Sequence, residues 1–517
     1  MAVDVGGSEI VKFYRGKTIF ITGGTGFIGR VLVEHLMRKC GVHKIYVLVR
    51  AKKGVEPKDR KHSLFNVPLF DELRAIKPNF VDSIIFINGD ISEPDLGIDE
   101  VSRVLLTNDV QVVFHIAATV NLQANLKKAT SINVRGTQAM CRLCSKMKKI
   151  EAFVYVSTAY AHSNREEIGE VIYDAPIDAD NLMKVTESLS DDQVDRITKH
   201  LLCGWQNSYT FTKAVSENLL KAYVDRMPIC VVRPGLVIST KCDPIEGWVD
   251  NIYGPMGFVS GTATGVLRVS NVDLEAKTEF VPADFVCSTL IASACKTAKE
   301  GSLPEIPVYN VVSAPENPIN YGEFNRICTD LSYEHPPSYS VWHVTHTCIK
   351  NRLLYLMAAF WFHIFPAVIV DLFLKLTGKT PKVRKIYNKI HTFVDSVAFV
   401  SNRSWTFGNT NIRKLREDMN ETDKKLFNFD MSASNVNWRQ TVTNAANGVS
   451  CYLFNEDLFK STAQAKRRAF WLHVLHRTVQ VAYVALFYWL AKMIVWTIQF
   501  TFNSVMYGVR YAVCDVC

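Results

Sequence analysis

The sequence predicts an α/β fold, a doubly wound parallel sheet, followed by a mainly helical region and an apolar membrane segment. Three observations carry this. Up to about residue 240, short apolar runs rich in β-branched residues alternate with amphipathic helical patterns. The first of these runs leads directly into a glycine-rich turn. After about residue 340 the alternation stops and long apolar helical stretches replace it. Repeated strand–helix units imply parallel strands joined by right-handed crossovers.

The first unit is KTIFITGGTGFIGR, residues 17–30. Residues 17–22 read as a buried strand, and VLVEHLMRKCG reads as a helix ending at Gly41. Between them Gly23, Gly26 and Gly29 stand three apart. Gly23 allows the turn, Gly26 lets backbone approach a pyrophosphate, and Gly29 lets helix and strand pack closely. Thr25, Phe27 and Ile28 complete the cradle, with the helix N-terminus facing the anion. This is a Rossmann-type dinucleotide site.

The second strand is KIYVLVR, residues 44–50. An acidic residue at its end would bind the ribose 2′-hydroxyl of NAD. Arg50 stands there instead, followed by Lys52 and Lys53, and cations attract a 2′-phosphate, so the expected cofactor is NADPH. SIIFINGD (83–90) is the third strand and brings Asp90 and Ile91 to the adenine. VQVVFHIAA (110–118) is the fourth; Ala117, Ala118 and Thr119 are small, as backbone beside the cofactor requires. FVYVSTAY (153–160) is the fifth, with hydroxyls at its carboxyl end, where open α/β sheets bind ligands. CVVRPGLV (230–237) is the sixth; Pro234 and Gly235 are expected to border the nicotinamide.

A proton donor is then needed beside the nicotinamide. YTFTK supplies Tyr209 and Lys213, which share a helix face. A lysine ammonium beside a phenol favours the phenolate and lowers the tyrosine pKa, so Tyr209 is expected to protonate a carbonyl oxygen as hydride arrives. Thr158, ahead of Ser157, is expected to hold the same oxygen.

TGGTGFIG, STAY and YTFTK, in this order, resemble the extended short-chain dehydrogenase/reductases. NIYGPMGFVSGTATGVLR (251–268), FVPADFV (280–286) and YNVVSAPENPINYGEF (309–324) narrow the resemblance to the alcohol-forming fatty acyl-CoA reductases, of the insect kind. It runs from about residue 17 to 453. The resemblance implies that a long-chain acyl-CoA is reduced by two hydride transfers to a primary alcohol with release of CoA. It places Thr158, Tyr209 and Lys213 in the catalytic positions, and makes Asn133 a weaker counterpart of a helix asparagine in classical relatives. The intervening aldehyde would need a closed apolar tunnel.

The fifty or so residues between Thr158 and Tyr209 are a lid over the acyl chain or a surface insertion. Gly254, Gly257, Gly261 and Gly265 mark a segment that wraps the substrate or is a flexible loop. LLYLMAAFWFHIFPAVIVDLFLKL (353–376) resembles the start of the family's C-terminal male-sterility domain, with His363, Pro366 and Asp371 in HxxPAxxxD. WTFGNTN (405–411) and FNFDM (427–431) continue that likeness. The stretch 353–376 could just cross a bilayer. Crossing would put Lys379, Lys382, Arg384, Lys385 and Lys389 in the lumen, against the positive-inside tendency. A helix lying on the membrane or capping the tunnel is therefore expected. TVQVAYVALFYWLAKMIVWTIQFTF (478–502) is long enough to span, with Lys492 its one charge; spanning is favoured over a hairpin or an interfacial placement.

These readings divide the 517 residues into 1–340, NADPH-binding and catalytic; 341–460, C-terminal; and 461–517, membrane anchor. A hydrophobic content of 48%, a mean hydropathy of +0.05 and a net charge of +9 suit a lipid surface or polyanionic substrate. No basic run interleaved with aromatics supports nucleic acid. The N-terminus lacks an apolar signal core, so the catalytic part is expected to face the cytosol, with thirteen cysteines reduced. Cys141 and Cys144 have no second pair to complete a zinc site, so no metal is expected, and Cys514 and Cys517 do not fit prenylation. The endoplasmic reticulum is the first expectation for location and the peroxisome membrane the second. A homo-oligomer is compatible with the sequence. Two rival readings remain: a dehydrogenase of sterols or other lipid alcohols, and a silent NADPH-binding membrane scaffold.

Overall fold

A computed structural model describes residues 7–50, 57–460 and 462–514; Lys52, Lys53 and Cys517 lie outside the described residues. Seven strands form one parallel sheet. They are β1 (Thr18–Thr22), β2 (Lys44–Val49), β3 (Ile84–Asn88), β4 (Val112–His115), β5 (Ala152–Val156), β6 (Ile229–Pro234) and β7 (Val308–Val311). Their order is β7-β6-β5-β4-β1-β2-β3. The order in which strands are added reverses between β1 and β4, where Thr22 registers with His115. That crevice is where such sheets hold ligands. β1, β5 and β6 are buried along their whole length, which explains their continuous apolar runs. β7 extends the sheet beyond the sequence expectation. Its four residues are too short to stand out as a periodic pattern.

Helices cover both faces. Helix α1 (Phe27–Arg38) and helix α3 (Ala283–Glu300) pack on one, while helix α2 (Ser208–Leu220) lies on the other. The core of the first face does not stop at residue 340. Leu415, Phe427, Trp438 and Val442 pack into the same cluster as Ile19, Val31 and Phe285. At the opposite end of the chain, the side chain of Ser8 and the N–H groups of Glu9 and Ile10 bond to the Asp423 carboxylate. Glu170 stitches a further junction, accepting the N–H groups of Asn310 at 3.0 Å and Ile412 at 3.2 Å.

The insertion between Thr158 and Tyr209 is a packed unit. Its helices Ala179–Ser188 and Asp191–Leu201 bury Leu182 and Val194 against Phe211 and Val215 of α2. Most of the four-glycine stretch is helix and not a flexible loop. Pro255–Ala263 is a helix started by Pro255, and Gly254 before it has φ +57°. Its glycines serve close approach, since a Cβ on Gly257 would lie 2.5 Å from the Ile252 carbonyl oxygen.

Helix α4 (Arg352–Leu376) turns only a narrow stripe to the protein: Tyr355, Ala359, His363 and Ala367, each four residues on. Most of its remaining apolar side chains are exposed, Leu353 at 67% and Phe373 at 63% among them, and others such as Trp361 and Phe365 are half-buried. The Asp371 carboxylate accepts the N–H groups of Lys382, Val383 and Arg384 at 2.9 Å each, capping helix α5 (Val383–Ser401). The apolar segment 478–502 is the middle of one long helix, α6 (Ala463–Cys514). Helices α4 and α6 touch through Trp361 and Phe487, with ring centroids 4.9 Å apart, and through Tyr483, whose hydroxyl donates to the Trp361 carbonyl at 2.8 Å.

Candidate functional site

The glycine cradle sits at the carboxyl end of β1. Gly23 has φ +77°, and a Cβ there would lie 2.8 Å from the Ala117 nitrogen at the end of β4. A Cβ on Gly29 would lie 2.2 Å from the Gly23 carbonyl oxygen, so this glycine sets how closely α1 packs on β1. Gly26 is the N-cap of α1, is exposed, and gives the helix no side-chain cap. The first-turn N–H groups, with Phe27 and Ile28, are thus left for an anion. Thr25 is half-buried beside them.

Ala117, Ala118 and Thr119 follow β4 in order, all half-buried. Ala117 N–H donates to Thr22 Oγ1 at 3.2 Å and Thr119 N–H to Asn133 Oδ1 at 2.9 Å. Asn133 Nδ2 in turn donates to Thr212 Oγ1 of α2 at 2.9 Å. Asn133 therefore joins the β4 loop to the helix bearing Tyr209. His115, which the sequence did not single out, lies buried between Thr22 and Thr137 at 2.7 and 3.1 Å. Burial, helped by Lys213, lowers its pKa to about 3.

Arg50 directly follows β2 and is exposed. It lines a cavity of about 410 Å³ with Ser92, Lys128 and Arg135. Lys128 and Arg135 are cations the sequence reading missed, and Lys127–Lys128 ahead of INVRGT was the available signal. Ile91 packs on Gly136, while the Asp90 carboxylate accepts from Ser92 N and Oγ at 2.9 and 2.7 Å. One Asp90 oxygen is therefore held by Ser92. Gly235 borders a neighbouring strand: its Cβ would lie 2.4 Å from the Glu279 carbonyl oxygen. Pro234, just before it, is buried at the end of β6.

Thr158 follows β5 and is nearly buried. The Tyr209 hydroxyl lies close enough to its side chain for Thr158 to hold down the phenol pKa. Neighbouring Ser157 is buried, and its hydroxyl has no partner among the described residues. The Lys213 ammonium donates to the Val156 carbonyl at 2.7 Å and lies 4.6 Å over the Tyr155 ring. The expected effect of Lys213 on Tyr209 does not appear. Burial raises the Tyr209 pKa to about 12, opposed only by the Thr158 bond, and burial lowers Lys213 to about 7, opposed by Glu217. Spacing put both on one face, but Lys213 is spent on the β5 backbone. One turn further, Glu217 is fully buried between Arg233 and His162.

His363 is a structural pin: Nε2 accepts the N–H of Arg268 at 3.1 Å, and Nδ1 meets His391 at 2.9 Å.

Comparison with known proteins accords with this architecture. Two family models match, both described as male sterility protein, over residues 21–290 and 362–456; the first is an NAD-binding model. Fatty acyl-CoA reductase wat of Drosophila melanogaster is 35% identical over 482 residues, 93% of this chain and 92% of that protein. Fatty acyl-CoA reductase 1 of Homo sapiens is 32% identical over 454 residues, 87% of each. Among solved structures, the reductase domain of a nonribosomal peptide synthetase from Mycobacterium tuberculosis aligns with TM-score 0.54 at 20% identity, covering 85% of this chain and 94% of that one. The terminal R domain of the myxalamid pathway aligns with TM-score 0.53 at 18% identity, covering 86% and 93%. These two likenesses concern the fold.

Proposed function

The chain belongs to the fatty acyl-CoA reductase family and is a reductase that uses a nicotinamide cofactor, and we propose that it converts long-chain fatty acyl-CoA to primary fatty alcohol with NADPH, releasing CoA. The observation that carries this reading is the meeting of Tyr209 with Thr158 at the carboxyl end of β5, beside the Gly23–Ala117 crevice.

NADPH fits the residues present. The uncapped start of α1 suits its pyrophosphate, and the Arg50, Lys128 and Arg135 cations suit a 2′-phosphate. When bound, it supplies hydride. Thr158 and Tyr209 hold the thioester oxygen, and Tyr209 donates a proton as the carbonyl carbon is reduced. The resulting hemithioacetal breaks its C–S bond, leaving aldehyde and CoA thiolate, which takes up a proton. The same two hydroxyls then orient the aldehyde for a second reduction, with Tyr209 again the acid. Lys213, held on the Val156 carbonyl, keeps the helix that carries Tyr209 against the end of β5.

We divide these roles along the chain as 1–340 for NADPH and chemistry, 341–460 for acyl substrate, and 461–517 for anchorage. The paired apolar helices α4 and α6 support attachment to a bilayer, with α6 spanning and the catalytic part on the cytosolic side. The endoplasmic reticulum is the favoured membrane, ahead of the peroxisome.

The test is product analysis with membranes containing this chain, palmitoyl- or stearoyl-CoA and NADPH. Fatty alcohol and free CoA are expected, with at least about a hundredfold loss in Tyr209→Phe while NADPH still binds. Aldehyde as sole product would remove the second reduction. No turnover at any acyl length would favour a lipid-alcohol dehydrogenase or a scaffold.

A further inference from the structure

Two cavities stand out near the crevice. The one containing Arg50 falls to the adenosine end of the cofactor. The other, about 550 Å³, opens between the loop after β4, the residues just ahead of α2, and the 350–402 segment. We propose that this second cleft is the subsite for the phosphopantetheine arm of the thioester, a reading that rests on the acyl-CoA assignment above.

Position comes first. Asn207, in the wall of the cleft, is the N-cap of α2 and stands two residues before Tyr209. The cleft wall thus includes the N-cap of the helix whose first turn carries Tyr209.

Chemistry comes second. The wall carries five side-chain amides: Gln123, Gln206, Asn207, Asn271 and Asn402. The phosphopantetheine arm carries two amides and a hydroxyl, and side-chain amides offer it both donors and acceptors. Two of these groups are left over. Asn207 is 8% exposed and its Oδ1 caps Thr210 N–H at 2.9 Å, while its Nδ2 has no partner among the described residues. Asn402 donates Nδ2 to the Asn271 carbonyl at 2.9 Å, while its Oδ1 has none. Buried polar groups are normally satisfied, so an unmatched donor and an unmatched acceptor within the cleft wall leave hydrogen-bonding capacity that an amide ligand would use on displacing the groups that cover them.

Charge comes third. Lys350 and Arg352 line the cleft. They pair with Asp273 at 2.7 Å and Asp395 at 2.6 Å, and both cation side chains are about half or more exposed. Such solvent-screened pairs exchange partners readily, and a phosphate offers these cations stronger bonds than one carboxylate.

The experiment uses the full chain in detergent micelles with NADPH and either palmitoyl-CoA or hexadecanal, which lacks the CoA arm. In the Lys350→Glu/Arg352→Glu double variant, the ratio of kcat/KM for palmitoyl-CoA to that for hexadecanal should fall about tenfold, through KM for the thioester. Asp395→Asn, which frees Arg352, should lower that KM. An unchanged ratio in both variants, with the unmodified chain turning over palmitoyl-CoA, would overturn the subsite alone. A wild-type chain that reduces hexadecanal but no acyl-CoA would overturn the acyl-CoA assignment and the subsite with it.

Discussion

Arg233 and Glu217 form an ion pair from which water is excluded: both side chains are fully buried, with Nη2–Oε2 at 2.6 Å and Nε–Oε1 at 2.9 Å. The pair joins β6 to the helix that carries Tyr209 and Lys213. The same guanidinium donates to the carbonyls of Gly169 at 2.9 Å and Val171 at 2.8 Å, so it also fixes the start of the insertion.

Arg233→Met should therefore cost about 3–5 kcal/mol, since Glu217 would be left buried beside His162 alone. Thermal unfolding would show a lowered Tm. Glu217→Leu on the same background should recover part of the loss, because it removes the stranded charge; no recovery would mean that the carbonyl contacts dominate.

Gly29→Ala tests the cradle. The added methyl would meet the Gly23 oxygen at 2.2 Å and the Gly24 Cα at 2.6 Å, both backbone, so helix and turn must separate. A stability loss of about 1–3 kcal/mol is expected. NADPH affinity, read by fluorescence titration, should weaken at least about tenfold.

Arg50→Ala should raise the Kd for NADPH about tenfold and leave that for NADH nearly unchanged, the size of one lost charge-assisted phosphate bond. Equal effects on both cofactors would place Arg50 outside the 2′-phosphate contact.

His115 gives a dependence on pH with a definite sign. Its folded pKa of about 3 lies below the usual histidine value of about 6.5. Between these values the unfolded chain takes up a proton that the folded chain refuses. The stability this site contributes is complete above about pH 6.5 and falls as the pH drops, by up to about 1.4 kcal/mol per pH unit. The difference in unfolding free energy between His115→Gln and the unmodified chain should shift in the variant's favour by that slope from pH 6.5 to 4.5. A constant difference would contradict a neutral, buried imidazole.

The parts of this molecule legible in its sequence are those set by local chemistry. Six strands announce themselves as apolar runs, and Gly23, Gly26 and Gly29 lie in the expected turn because backbone geometry at a strand–helix corner leaves little else. The Tyr209–Lys213 spacing gives a shared face but not what the Lys213 nitrogen reaches, which depends on where β5 passes. Asn207 reads as an ordinary N-cap until the 350–402 segment packs opposite it. The four glycines from Gly254 to Gly265 look like flexibility, whereas at Gly257 the missing Cβ makes room for the Ile252 carbonyl. Such features depend on partners far along the chain, and no short window contains them.

The bonds from Ser8, Glu9 and Ile10 to Asp423 set an order of events during synthesis. The two sides are more than 410 residues apart in sequence. Closing so long a loop costs entropy that must be met before the contact returns anything. The nascent chain can lay down β1 to β7 early, but the apolar surface destined for Leu415, Phe427 and Trp438 stays uncovered until they are translated. A chain cut short between residues 340 and 410 would leave that surface open to solvent, the condition under which partly folded chains associate.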